Sequence, residues 1–184
     1  SQINSKLKVD NILDQWLSAK LNSLIKETTD AMEAYDLPRA TRPIAGFVNE
    51  FSTWWLRRSR DRFKNLGEDK ENALAVFHHT LLELSKVMAP FMPFIAEHVY
   101  REINGELESV HLESWPASAK ASAGEAQVLE QMEQVRKIVE MGLAKRAEAG
   151  IKIRQPLASL KIPSASWRPK LKNQEKFISL IKDE

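Results

Sequence analysis

Residues 10–35 read DNILDQWLSAKLNSLIKETTDAMEAY. Apolar side chains recur at Leu13, Trp16, Leu17, Leu21, Leu24, Ile25, Met32 and Tyr35. Steps of three, four and seven lay one stripe along an amphipathic helix of about seven turns at ~3.6 residues per turn. Asp10 and Asp14 fall in its first turn, where the positive end of the helix dipole favours them. A helix this long, apolar on one face only, has to be covered by other elements, and the residues that follow supply more helices of the same kind.

A short link, Asp36-Leu37-Pro38, opens a second helix whose stripe is Ile44, Phe47, Val48, Phe51, Trp54, Trp55 and Phe63. Pro38 suits a first turn, where no backbone donor is needed. Pro43 is predicted to distort that turn or delay the helix start. Gly67 is a plausible stop. A third helix over about residues 69–88 carries Ala73, Val76, Phe77, Leu81, Leu84, Val87 and Met88, and Pro90 and Pro93 break it. Pro93 starts a fourth, with Phe94, Ile95, Val99 and Ile103 expected inside. Residues 104–123 are irregular, with Val110-His111-Leu112 as a short extended piece and a linker-like ASAKASAG at 117–124. A fifth helix over about 125–149 places Val128, Leu129, Met132, Val135, Ile138, Val139 and Leu143 on one face, and Gly150 caps it. The period then changes. Ile151 and Ile153 alternate with Lys152 and Arg154, residues 157–162 have β character, and 177–181 read as the core face of another short helix.

The fold expected is therefore mainly α, an up-down helical bundle followed by the start of a small α/β element. Residues 1–117 are expected to form the bundle, 118–150 a linker and long helix joining it, and 151–184 the start of a truncated C-terminal α/β subdomain. One or two strands need a sheet to join, so the partner strands are expected downstream of Glu184.

Composition narrows the function classes. Of 184 residues, 43% are hydrophobic and 28% charged, which excludes collagen-like and strongly disordered chains. The absence of cysteine excludes disulfides, thiolate zinc sites and cysteine nucleophiles, and leans toward a reducing, cytoplasmic setting. No apolar run approaches a membrane span, and residues 1–10 lack a signal-peptide core. With 6 glycines, Gly-rich phosphate loops are not expected. The net charge of +2 divides unevenly. Residues 1–144 hold 17 Lys and Arg against 21 Asp and Glu, whereas 145–184 hold 10 against 4. Within 39–64 the count is 7 against 2. Local basic excess of this kind marks either a surface that meets polyanions or a solvated basic helix.

The densest patch is Trp54-Trp55-Leu56-Arg57-Arg58-Ser59-Arg60-Asp61-Arg62-Phe63. At helical spacing Trp54 and Arg58 share a face, as do Arg58 and Arg62. Guanidinium forks pair with phosphates, and tryptophan rings stack on unpaired bases. The competing reading puts the tryptophans in the core and pairs some arginines with neighbouring carboxylates. Lys145, Arg146, Lys152 and Arg154 form a second basic cluster around Gly150, suited to a backbone phosphate or to a plain solvated turn. His79 and Glu83 stand at i and i+4. Without a second ligand pair they read as structural, and an independent metalloenzyme is disfavoured. No nucleophile or paired acid and base is expected. Residues 88–94, MAPFMPF, read as a tight apolar helix–helix corner.

Five stretches resemble class I aminoacyl-tRNA synthetases of the Ile/Val/Leu/Met subgroup. Residues 13–22, LDQWLSAKLN, resemble the family's D-x-W-I-L-S-x-L-N helix. Residues 47–63, FVNEFSTWWLRRSRDRF, resemble F-V-x-x-L-S-N-W-Y-I-R-R-S-R-x-R-F-W. Residues 84–97 end in APFMPFIAE, similar to L-A-P-F-x-P-F-x-x-E, shared across the subgroup. Residues 109–116, SVHLESWP, and 149–157, AGIKIRQPL, resemble S-V-H-L-x-x-W-P and A-G-I-K-V-R-Q-P-L. The R-R-S-R and I-K-x-R-Q-P-L stretches look specific to the isoleucyl branch. Trp55 replaces the usual tyrosine, Lys64 the usual tryptophan, and Pro43 a helix former.

The resemblance implies the family's C-terminal anticodon-binding region. Its partners would be the anticodon stem-loop of tRNA(Ile) and the catalytic core of the parent chain, a monomer. The H-I-G-H and K-M-S-K-S signatures are absent from these residues, so ATP and Mg2+ would serve the parent enzyme, an isoleucine–tRNA ligase, and this segment would need no cofactor or metal. The tRNA-binding residues implied are Trp54, Trp55, Arg57, Arg58, Arg60, Arg62, Lys145, Arg146, Lys152 and Arg154. The alternatives are a bundle that only supports the catalytic core, or the same module from a valyl, leucyl or methionyl relative.

Overall fold

The computed structural model describes residues 11–117, 122–152, 155, 157, 159 and 174–182. Its architecture is mainly α: helix α1 (Ile12–Glu33), α2 (Leu37–Glu50), a π-helical segment (Phe51–Leu56), α3 (Arg57–Lys64), α4 (Glu68–Met88), α5 (Pro93–Glu102), a 3-10 turn (Val110–Leu112), α6 (Ala123–Glu148) and α7 (Gln174–Lys182). The chain divides into two compact units, residues 1–125 and 126–184.

In the first unit, α1 packs on α2, the π segment and α4; α4 also packs on α3 and α5. Asn11 caps α1, its Oδ1 accepting the Leu13 amide at 2.9 Å, and Asp36 caps α2 by accepting the Arg39 amide at 3.1 Å. The first helix buries Leu13, Trp16, Leu17, Leu21, Leu24 and Ile25 as its periodicity predicts. Tyr35 differs: it ends α1 in the left-handed region (φ 57°) and is 93% exposed. There it serves as the residue after the helix, with the Asp36 amide bonding back to the Ala31 carbonyl at 2.9 Å.

One proline expectation turns out differently, and so does the burial expected at one corner. Helix α2 starts at Leu37 and runs straight through Pro43. The lost bond is the one the Arg39 carbonyl would have received, and Arg39 is exposed, so water can replace it. At the α4–α5 corner, Phe94 is 91% exposed and Ile95 is exposed as well, although both were expected inside. Helix α5 turns Ala96 and Tyr100 inward, four residues apart, against Ala89 and Val110, and that choice faces Phe94 and Ile95 away. Val110–Leu112 is a 3-10 turn, not an extended piece. Side chains dictate it: Glu97 accepts the Val110 amide and the Ser109 hydroxyl, both at 2.9 Å, and Ser109 accepts the His111 amide. The Val110 amide, with Arg101 and Ser109 adding to it, holds the Glu97 carboxyl below its usual pKa.

In the second unit, α6 buries Met132, Val135, Ile138 and Val139. Gly150 (φ 66°) closes it as predicted, with the Ile151 amide bonding to the Arg146 carbonyl at 2.9 Å and the Gly150 amide to Ala147 at 3.1 Å. Helix α7 buries Phe177, Leu180 and Ile181. The strands expected over 151–162 fall largely outside the described residues, as does Ile153; no strand occurs among the described ones.

Candidate nucleic-acid interface

The basic patch hangs on an unusual helix. From Ala40 the buried positions are 40, 44, 47, 51, 55 and 59. Spacings of four and three keep an α-helix stripe on one side. The run 47–51–55–59 steps by four each time, and an α-helix would carry that run off its buried face. The π segment widens the turn over Phe51–Leu56 and brings Trp55 and Ser59 back inward. The Arg57 amide bonds to Ser52, five residues back. Side chains bond back along the segment: Ser52 Oγ donates to the Val48 carbonyl (2.7 Å), Thr53 Oγ1 to that of Asn49 (2.7 Å) and Arg57 Nε to that of Thr53 (3.1 Å).

This geometry sorts the arginines. Arg62 points inward, its side chain 11% exposed. Its Nη1 and Nη2 grip the Oδ1 and Oδ2 of Asp14, each at 2.8 Å, and its Nε and Nη2 reach Asp69 at 2.8–3.1 Å. Burial opposes the guanidinium charge, but hydrogen bonds and charge from Asp14 and Asp69 outweigh it and raise its pKa further. Arg57 and Arg60 lie exposed on the opposite side. Arg58 is half-buried with its guanidinium 4.4 Å above the Trp54 ring, a cation–π pair.

Two residues named from sequence as RNA contacts thus have other work. Trp55 is 0% exposed, stacked on Phe51 and Phe77 and edge-on to Phe63, at centroid distances of 5.7–6.2 Å. Its Nε1 donates to Asp14 Oδ1 at 2.8 Å. No face of that ring is open to a base, because the π turn aims it into the core. Arg62 is corrected likewise: its fork is closed by two carboxylates. Asp14, read from sequence as a dipole partner only, is the fully buried acceptor that joins α1 to Trp55 and α3. Its i+41 and i+48 partners leave no local sequence signal.

In the second basic cluster, Lys145 and Lys152 are exposed, Lys145 pairing with Glu148 at 2.6 Å. Arg146 Nη1 donates to the carbonyls of Lys152 (3.3 Å) and Gln155 (2.8 Å), pinning the segment after Gly150 against the helix end. Arg154 lies outside the described residues.

His78 Nε2 contacts the Ile103 carbonyl at 2.8 Å, and burial pushes the His79 pKa down, opposed by Glu83. Among the described residues no group of three or more His, Asp or Glu could hold a metal ion, and no helix is long and apolar enough to cross a membrane.

A basic helix end on an α-bundle, with the R-R-S-R stretch at its centre, defines a class. Residues 14–162 match the family described as the anticodon-binding domain of tRNA ligase, and the chain belongs to that family. Within it, similar proteins include isoleucine–tRNA ligases. The chain is 40% identical to that of Deinococcus radiodurans over 155 residues, covering 84% of this chain and 14% of the relative. It is 42% identical to that of Cutibacterium acnes over 162 residues (85% and 14%) and 37% identical to that of Clostridium tetani over 182 residues (95% and 17%). The chain thus corresponds to the anticodon-binding portion of these ligases and spans 14–17% of their length.

Proposed function

We propose that this chain is the tRNA-recognition module of an isoleucine–tRNA ligase and docks the anticodon stem-loop of tRNA(Ile). The observation that carries the reading is the sorting of the arginines: Arg62 is consumed inside the bundle, while Arg57 and Arg60 stand exposed beside the Arg58–Trp54 pair. A helix end built this way offers phosphate-binding forks and, at the half-buried Trp54, a ring edge for an unpaired base. Lys145 and Lys152, with Arg154 from the same basic segment, supply further phosphate contacts, and Arg146 shapes that corner. Trp55 and Arg62 support the surface without touching RNA. ATP-dependent charging, with its Mg2+, belongs to the catalytic core of the parent, a cytoplasmic monomer. The present residues have neither its signature motifs nor, among those described, an acidic cluster for the metal.

The test is tRNA(Ile) binding across a salt series by the chain and by its Arg57→Gln/Arg60→Gln variant. Each lost phosphate contact lowers the log–log salt slope by ~0.7–0.9, so the double variant should lose about 1.4–1.8. Unchanged affinity and slope would leave a bundle that only supports the catalytic core.

A further inference from the structure

The exposed side of the helix does not stop at α3. Arg39 and Arg42 lie exposed on α2, one turn apart, and the exposed residues between them and Arg57 are Ala45, Gly46, Val48, Asn49, Ser52 and Thr53. None is acidic. The one carboxylate between residues 37 and 60, Glu50, is half-buried and pairs with Lys20 at 2.9 Å. Arg39, Arg42 and Arg60 form no ion pair among the described residues. No carboxylate neutralises them directly, although residues 1–144 as a whole are net acidic.

Gly46 sits in the middle of this face. A Cβ there would meet nothing within 4 Å. Glycine inside a helix is less favourable than alanine by about 1 kcal/mol, and nothing among the described residues needs the space. A bare backbone flanked by arginines on an outward face suits a partner that comes close at that point. Arg39 to Arg60 spans about 30 Å at ~1.5 Å per residue, long enough to follow several nucleotides.

We propose that the outer face of α2, through Arg39, Arg42 and Gly46, continues the surface of α3, so that one RNA phosphodiester backbone runs lengthwise along the helix and approaches most closely at Gly46. This rests on the function proposed above. Recognition here is of backbone charge, not base identity.

The experiment compares tRNA(Ile) binding by the 184-residue chain with three variants across a salt series. Arg39→Gln/Arg42→Gln should weaken binding at least tenfold and lower the salt slope by about 1.4–1.8. Gly46→Leu should weaken binding at least threefold with the slope unchanged, while its melting temperature holds or rises, since the side chain meets open space and favours helix. If Arg39→Gln/Arg42→Gln binds like wild type while Arg57→Gln/Arg60→Gln does not, the extension along α2 is wrong and the α3 interface stands. If both pairs bind like wild type, both fall. Undiminished binding by Gly46→Leu would overturn close approach at that residue.

Discussion

Asp14 shows how far one side chain can decide the use of others. It is fully buried, and its two oxygens accept Trp55 Nε1 and both Nη groups of Arg62 at 2.8 Å each. A carboxylate taken from water is tolerable only when its lone pairs are satisfied. Removing it strands an indole N–H and leaves a mostly buried guanidinium with the exposed Asp69 as its remaining carboxylate. Asp14→Ala should therefore destabilise the chain by about 3–5 kcal/mol, the range for breaking one side of a buried ion pair. Arg60→Ala, at an exposed position, should stay within about 0.5 kcal/mol of wild type. Urea denaturation of the two variants checks the contrast. Four arginines within residues 57–62 were visible in the sequence, and so was their affinity for phosphate. Which of them faces inward was not, because the decisive partner lies 48 residues away, and charge composition is the same for a fork closed by carboxylates as for an open one.

At the scale of the element, the π segment reads as a one-residue insertion. The buried series 40, 44, 47, 51, 55, 59 becomes 40, 44, 47, 51, 54, 58 if one residue is taken out after Phe51, an alternation of four and three that an α-helix satisfies unaided. Deleting exposed Ser52 should therefore leave a helical bundle with cooperative unfolding, within about 2 kcal/mol of wild type, the π turn relaxed to α. Deleting Leu81 from the middle of α4 should abolish cooperative folding, since every later core position of that helix would rotate by about 100°. Circular dichroism melts distinguish the outcomes. The helices themselves were legible, because apolar periodicity over two or more turns is a strong signal. The π turn was also written in the sequence, in the four-residue steps Phe47, Phe51, Trp55, Ser59, but reading it requires knowing that all four are buried. The corner around Phe94 and the turn at Val110 were less legible. Both depend on which neighbour covers a short segment, and Glu97 fixes the latter from another element.

Across the whole molecule, charge is distributed against the grain of its proposed ligand. Residues 1–144 carry more carboxylates than basic groups, so the long-range field of that part does not favour RNA, and attraction has to come from local patches within a Debye length of ~8 Å at physiological salt. Patches that act locally should contribute independently. The basic corner after α6 and the arginines of α3 belong to different compact units. Lys145 is already partly neutralised by Glu148, which makes Lys152 the stronger of the two. Lys145→Gln/Lys152→Gln should thus lower the salt slope for tRNA(Ile) by about 0.7–1.8, less than two full contacts if Glu148 keeps Lys145 occupied. Combined with Arg57→Gln/Arg60→Gln, the losses in log affinity should add, as expected if each side chain neutralises its own phosphate. A combined variant no weaker than the α3 variant alone would show that the corner, for all its positive charge, is a solvated turn held together by Arg146.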